Sequence, residues 1–161
     1  MTKIKELLKD QNTVLVFDMD GVLSTLEFGL YNHYEMTDEE WTEANKEEVN
    51  YYTDDKVIKK IQDYLKNRDM HNVYVISKSY TPNESKCKVD FLTKNYNILK
   101  DNIYFVNEND EKVDILKSIK EKYPEKEDYQ IAMVEDTVDI LNDIMAKTNF
   151  ATIHISSFID L

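Results

Sequence analysis

The stretch TVLVFDMDGVL, Thr13–Leu23, carries the clearest structural signal in the chain. Its first half, Thr13–Phe17, is an apolar run of strand length that is rich in β-branched and aromatic residues. Such a run, with little polar alternation, is typical of a strand that is buried on both faces of a parallel sheet. Asp18, Asp20 and Gly21 follow it directly. The stretch therefore predicts a buried strand that ends in paired carboxylates and a turn.

Apolar runs of the same kind recur along the chain, and helical patterns separate them. The further runs are Val73–Ile76, Ile103–Val106, Ile131–Val134 and Ala151–Ile155, and the helical patterns are Val57–Leu65, Val113–Ile119 and Ile140–Met145. Two capping boxes, Thr37–Glu40 and Thr81–Glu84, mark further helix starts. Because strands alternate with helices, we expect an α/β domain with right-handed crossovers.

The length and the spacing of these elements predict the domain organisation. A chain of 161 residues is expected to form a single domain over residues 1–161. One segment, residues 24–53, interrupts the alternation, and we interpret it as a small helical cap insertion at the edge of the sheet. Its helix is expected to begin near Thr37 and to carry Trp41, Ala44, Val49, Tyr51 and Tyr52.

The composition excludes several function classes. The chain has 20 basic and 32 acidic residues and a net charge of -12. This charge repels phosphate backbones, so neither a nucleic acid polymer nor a membrane is an expected partner. The single cysteine, Cys87, excludes an intrachain disulfide framework. No apolar run approaches the roughly 20 residues of a membrane helix, and residues 1–12 lack a signal-peptide core, so a cytoplasmic protein is expected.

Polar side chains follow the predicted strands at the point where each strand ends. Besides the two aspartates after the first strand, they are Ser77, Lys78, Lys112, Glu135 and Asp136. Ligands of open α/β sheets bind at the carboxyl ends of the strands, so we expect these side chains to converge there. Crowded carboxylates need a cation among them. Oxygen ligands without a nearby histidine or cysteine indicate Mg²⁺.

The spacing of Asp18 and Asp20 predicts phosphoryl chemistry. If Asp18 lies at the end of the strand, Asp20 points to the same side, because side chains alternate with a period of two. Gly21 permits a sharp turn beside a substrate. One carboxylate can then bind metal and attack phosphorus while its neighbour transfers a proton to the leaving oxygen.

In this order, and over nearly the whole chain, the residues resemble the four motifs of the haloacid dehalogenase superfamily. The resemblance rests on Asp18-Met19-Asp20-Gly21-Val22-Leu23, Ser77, Lys112 and Glu135-Asp136. It implies a Rossmann-like parallel sheet of strand order 5-4-1-2-3 with helices on both faces. The first strand would lie between the strands that carry Ser77 and Glu135.

The resemblance also implies an Mg²⁺-dependent phosphatase. Asp18 would be the nucleophile that forms an aspartyl phosphate, and Asp20 would protonate the leaving group and then activate water. Ser77 would hold a phosphoryl oxygen, with Lys78 beside it, and Lys112 would neutralise the phosphoryl charge. Glu135 and Asp136 would complete the metal shell together with Asp18 and the backbone carbonyl of Asp20.

Within the superfamily, the DMDGVL string and the short insertion look most like the 5′-deoxyribonucleotidase branch. That likeness implies a small phosphorylated substrate, with nucleoside monophosphates first among the expected classes. The aromatic residues Trp41, Tyr51 and Tyr52 would then stack on a base. They could equally form the packing face of the insertion.

Some of these assignments allow a second interpretation. Lys78 and Lys117 compete with Lys112 for the lysine role. Glu135 and Asp136 could simply start the next helix, where acidic residues are favoured. The whole set also suits a receiver-like signalling module that keeps its phosphate, or a non-catalytic phosphate-binding module on the same scaffold.

Overall fold

A five-stranded parallel sheet forms the centre of the protein. The computed structural model describes residues 3–25, 37–46, 50, 52–159 and 161. The strands are β1 Val14–Phe17, β2 Ser24–Thr25, β3 Lys56–Val57, β4 Val73–Lys78, β5 Ile103–Val106, β6 Ile131–Glu135 and β7 Ala151–His154. The α-helices are α1 Lys3–Lys9, α2 Asp38–Lys46, α3 Lys59–Leu65, α4 Pro82–Tyr96, α5 Lys112–Glu121 and α6 Val138–Lys147. The predicted α/β class with a parallel sheet is confirmed.

The order of the strands across the sheet is β5-β4-β1-β6-β7. These labels differ from the expected 5-4-1-2-3, because the two-residue strands β2 and β3 form a separate antiparallel ribbon and take two numbers. Numbered within the sheet alone, the strands run 3-2-1-4-5, which is the expected series read from the opposite edge. Strand β1 therefore pairs with β4, which carries Ser77, and with β6, which ends at Glu135.

Alternate residues of the buried strands enter two hydrophobic clusters, one on each face of the sheet. Leu15 and Phe17 pack in the cluster that includes residues of α1, α3 and α4. Val14 and Val16 pack in the cluster that includes residues of α5 and α6. All of β1 is fully buried, and burial on both faces explains why the run lacks polar alternation.

The helix of the insertion begins where the sequence predicts but does not reach Tyr52. Glu40 N donates to Thr37 Oγ1 at 3.2 Å, and Thr37 N donates to Glu40 Oε2 at 2.9 Å, so the capping box is formed. The helix is described as far as Lys46, and Asn50 and Tyr52 are not helical, so the expectation that the helix carries Tyr52 is wrong. Asn50 Oδ1 accepts from Tyr52 N at 2.9 Å. This side-chain bond forms an Asx turn, which is an alternative to helical structure at these residues. Val49 and Tyr51 lie outside the described residues.

The ribbon β2–β3 and helix α2 lie between β1 and α3 in the chain. Val57, expected to open a helix, instead pairs with Ser24 in this ribbon, and α3 begins at Lys59. The ribbon is joined to α4 by Tyr96, whose hydroxyl donates to Leu23 O and accepts from Ile58 N at 3.0 Å. Within the described part of the chain, no helix has both the length and the apolar character needed to cross a membrane.

Candidate active site

Carboxylates converge where the strand order reverses, between β1 and β6. Asp18 follows β1, and its backbone N donates to Val134 O at 2.9 Å, which continues the ladder toward β6. Asp18, Glu135 and Asp136 each offer a carboxylate oxygen, and these oxygens lie within 4.8 Å of one another. Ligands of open α/β sheets bind at such a reversal. The structure thus brings Asp18, after β1, together with Glu135, the last residue of β6, and Asp136, which follows it.

The absence of a side chain at Gly21 lets the Asp136 carboxylate lie against the backbone of the turn after β1. The Gly21 backbone has a φ of +78°, a conformation that residues with a Cβ rarely adopt. A Cβ on Gly21 would lie 2.2 Å from Asp136 Oδ2, well inside van der Waals contact. Gly21 N also donates to Ser24 O at 2.8 Å and closes the turn. Both the turn and the carboxylate position therefore depend on this glycine.

Lys112 is the lysine that joins the carboxylate cluster. It is the first residue of α5, and its Nζ lies 3.0 Å from Asp18 Oδ1 and 2.8 Å from Glu135 Oε2. Lys117 is exposed. Lys78 directs its Nζ toward Glu108 and Asp38, at 3.2 and 3.6 Å. Geometry therefore favours Lys112 among the three lysines considered, and it places the Lys78 ammonium against other acidic groups.

The cluster carries more negative charge than Lys112 balances. Burial raises the pKa of Asp18, and the charge of Asp20 raises it further, while Lys112 opposes both effects. Burial, followed by the charge of Asp18, raises the pKa of Glu135 to about 8. Burial alone would lower the pKa of Lys112, but the two carboxylates beside it raise it above its usual value. A divalent cation would relieve this repulsion, and a donor set of oxygens fits a hard cation such as Mg²⁺.

Glu135 arranges the cluster through both of its oxygens. Its Oε1 accepts from Asp136 N at 3.1 Å and Thr137 N at 3.2 Å, and its Oε2 accepts from Lys112 Nζ. These bonds fix the start of the loop that carries Asp136. Asp18 and Asp136 are therefore the residues best placed to hold an ion, and Glu135 positions both Lys112 and Asp136.

Asp20 belongs to a second group of side chains at the same end of the sheet. Its side chain is 54% exposed, and its Oδ2 accepts from Lys88 Nζ at 2.8 Å. Its Oδ1 accepts from the Tyr52 hydroxyl at 3.3 Å. Burial, and next the charge of Asp20, raises the pKa of Tyr52, so the phenol stays a donor. Ser77 is fully buried, and its Oγ accepts from the same Lys88 Nζ at 3.0 Å.

Sequence reasoning missed Lys88 and Glu84. Both lie on α4, both are buried, and Lys88 Nζ is 3.0 Å from Glu84 Oε1. The sequence signal for this pair was its helical spacing. Lys88 comes four positions after Glu84, and the buried residues Phe91 and Leu92 come three and four positions after Lys88. A glutamate and a lysine on the apolar stripe of a helix indicate buried, paired charges.

The aromatic residues predicted to contact a substrate have packing partners in the structure. The Trp41 and Tyr52 rings meet edge to face with centroids 6.3 Å apart, and Tyr52 also packs on Phe91. Tyr52 is only 5% exposed, so this ring supports Asp20 rather than presenting a face to solvent. Tyr51 lies outside the described residues. Stacking on a substrate base stays a prediction.

The chain matches no model of a known protein family and no curated protein sequence.

Proposed function

We propose that this protein is an Mg²⁺-dependent phosphomonoester hydrolase of the haloacid dehalogenase type, acting through an aspartyl phosphate on a small phosphorylated metabolite. Nucleoside monophosphates are the first class to test, and the cytoplasm is the proposed location. The observation that carries the proposal is the convergence of Asp18, Glu135 and Asp136 on one point, with Lys112 bonded to Asp18. This arrangement combines a nucleophile, a candidate cation site and a buried positive charge.

Asp18 would attack the phosphorus atom. Its Oδ1 accepts from Lys112, which fixes the carboxylate and leaves Oδ2 for the attack. The P–O bond to the leaving group breaks as the bond to Asp18 forms, and Lys112 balances part of the phosphoryl charge. When bound by Asp18 and Asp136, the cation would act as a Lewis acid on the phosphoryl oxygens.

Asp20 would act as general acid and then as general base. Its exposed carboxylate is held from two sides by Tyr52 and Lys88, and it can reach a leaving oxygen that solvent also reaches. In the first step it gives its proton to the leaving alkoxide. In the second it takes a proton from the water that attacks the aspartyl phosphate, and inorganic phosphate and free Asp18 result.

The receiver-like alternative has less support. Numbered within the sheet, the strands run 3-2-1-4-5, whereas flavodoxin-like receivers have the order 2-1-3-4-5. A receiver also has no need of a second aspartate with its own lysine. The non-catalytic alternative predicts that phosphate binds without turnover, which an assay of release distinguishes.

The test is catalytic release of phosphate from a panel of nucleotides and sugar phosphates, with Mg²⁺ and then with chelator. We expect many turnovers per protein molecule with Mg²⁺ and none with chelator. Asp18→Asn should abolish release. The matched control is Asp101→Asn, which changes an exposed aspartate before β5, at the amino end of the strands, and should leave the rate unchanged. Equal rates for Asp18→Asn and the parent would refute the covalent mechanism.

A further inference from the structure

The buried ammonium of Lys88 has no hydrogen left for a substrate. Its Nζ lies 2.8 Å from Asp20 Oδ2, 3.0 Å from Ser77 Oγ, 3.0 Å from Glu84 Oε1 and 2.5 Å from Lys78 O. An ammonium group can donate three hydrogen bonds and cannot accept any. Four protein acceptors therefore saturate it. Lys88 differs in this from a phosphate-binding lysine, and its effect on chemistry must pass through the groups it holds.

Glu84 makes this burial of charge tolerable. Lys88 and Glu84 have side chains that are 1% and 2% exposed, and an unpaired charge at such a depth would be costly. Burial alone would lower the pKa of Lys88, but Asp20 and Glu84 raise it, so the ammonium stays charged. Glu84 Oε2 also accepts from Tyr80 N at 2.9 Å, which fixes the carboxylate.

The bonds from Lys88 determine the orientation of the Ser77 hydroxyl and of the Asp20 carboxylate. Because a lysine only donates, Ser77 Oγ is the acceptor of their bond. The hydroxyl hydrogen of Ser77 then points to Lys78 O, with an Oγ–O distance of 3.4 Å. This bond is long, and a phosphoryl oxygen would replace Lys78 O as the acceptor. Asp20 has a largely exposed side chain, and the bonds from Lys88 and Tyr52 to its two oxygens hold it in one orientation.

The same network reaches the helix of the insertion. Trp41 of α2 donates from Nε1 to Glu84 Oε1 at 3.0 Å. Its ring also meets Tyr52, the second support of Asp20, at an interplanar angle of 85°. Trp41 thus contacts Tyr52, which bonds to Asp20 directly, and Glu84, which pairs with Lys88, the other residue that bonds to Asp20.

We propose that Lys88 is a positioning residue that holds Asp20 and Ser77, and that Glu84 and Trp41 couple it to the docking of α2. This inference rests on the proposed function, in which Asp20 is the general acid. The structural reason is that α4 projects Lys88 between these groups. A positioning role predicts a loss that depends on the leaving group, because a good leaving group needs little protonation.

The first experiment compares Lys88→Met with the parent on phenyl phosphate and dinitrophenyl phosphate. With phenyl phosphate, kcat should fall about 10²-fold, as expected for a misplaced acid. KM should rise by a smaller factor, because Lys88 also orders Ser77, which would hold a phosphoryl oxygen. With dinitrophenyl phosphate, the fall in kcat should be at least tenfold smaller. Lys86→Met, an exposed lysine on the same helix, is the matched control and should match the parent. Equal losses on both substrates, or a loss confined to KM, would overturn the proposal.

A second variant covers the case in which Lys88→Met does not fold. Trp41→Phe keeps a six-membered aromatic ring near Tyr52 and removes the five-membered ring, which carries the N–H that bonds Glu84. We expect a smaller fall in kcat, again larger with phenyl phosphate than with dinitrophenyl phosphate. Identical kcat values for Trp41→Phe and the parent on phenyl phosphate would refute the coupling to α2.

A readout without turnover separates this inference from the proposed function. Trp41 is the single tryptophan, so its emission reports on the bond to Glu84. Lys88→Met should shift this emission, and Lys86→Met should not. A parent protein that releases no phosphate would refute the proposed function, and unchanged emission in a folded Lys88→Met protein would refute the network itself.

Discussion

Replacing Gly21 with alanine tests the geometry of the site most directly. The backbone of Gly21 has a φ of +78°, and a Cβ there would lie 2.2 Å from Asp136 Oδ2 and 2.8 Å from Asp136 Cγ. The substitution adds a single methyl group and changes no charge. Its effects therefore separate into strain in the backbone and displacement of one carboxylate.

The two effects have different magnitudes. A left-handed conformation costs a residue with a Cβ about 1–2 kcal/mol, which we expect as the loss in free energy of unfolding. Asp136 is exposed, so its side chain can turn away at little further cost in stability. Its Oδ2 must move by about 1.2 Å to change 2.2 Å into an ordinary contact of 3.4 Å. A displacement of about 1 Å at a reacting centre can cost about 10²-fold in rate.

The assay is a double-mutant cycle with Asp136→Ala. Gly21→Ala alone should lower phosphate release about 10²-fold and weaken the stabilisation by Mg²⁺ in thermal unfolding. In the Asp136→Ala background, the same substitution should cost only backbone strain and lower activity no further. If Gly21→Ala keeps the activity and Mg²⁺ response of the parent, or if the two losses in activity add, the reasoning about Asp136 is refuted.

Three further predictions concern charge and capping. Lys112→Met leaves the buried carboxylates Asp18 and Glu135 without their cation, so chemical denaturation should show a loss of about 3–5 kcal/mol; a loss below about 1 kcal/mol would contradict the buried triad. Because the folded pKa of Glu135, about 8, lies above its ordinary value of 4.5, the folded state binds the extra proton, and metal-free protein should lose stability as pH rises from 4.5 to 8. Thermal unfolding across this range should show the loss with chelator and a smaller loss with Mg²⁺, and equal slopes would count against a cation at this site. Thr81→Ala removes the oxygen that accepts from Glu84 N at 3.1 Å and should cost about 1 kcal/mol with the Mg²⁺ response intact; a lost response would show that the cap also arranges the site.

The sheet could be predicted well because its central strands β1, β4 and β6 are buried on both faces and its edge strands are also apolar. Each apolar run became a strand, and Ile103–Val106 did so with the predicted bounds. The insertion was harder to predict, because its residues are partly exposed and local bonds decide their path. The Asx turn at Asn50 is such a local bond. The pairing of Val57 with Ser24 joins two residues that are far apart in the chain, and apolar spacing shows neither feature.

The order of residues in the chain predicts that acidic side chains of the site lie at strand ends. It does not predict which lysine each of them contacts. Asp18 and Asp20 are two residues apart, yet Asp18 bonds to Lys112 of α5 and Asp20 bonds to Lys88 of α4. The helices on opposite faces of the sheet supply these lysines. Strand periodicity alone does not predict which lysine reaches which carboxylate.

Hydrophobic period and chain order are properties of the sequence, and they were enough to predict the alternation of buried strands with helices and the positions of Asp18, Ser77 and Glu135 at strand ends. Which charges are buried together became clear only from the folded protein. Lys88 lies far from Asp20 in the chain, and packing of α4 against the sheet brings its Nζ to 2.8 Å from Asp20 Oδ2. Electrostatic energy depends on distance and burial, and neither can be read from spacing along the chain.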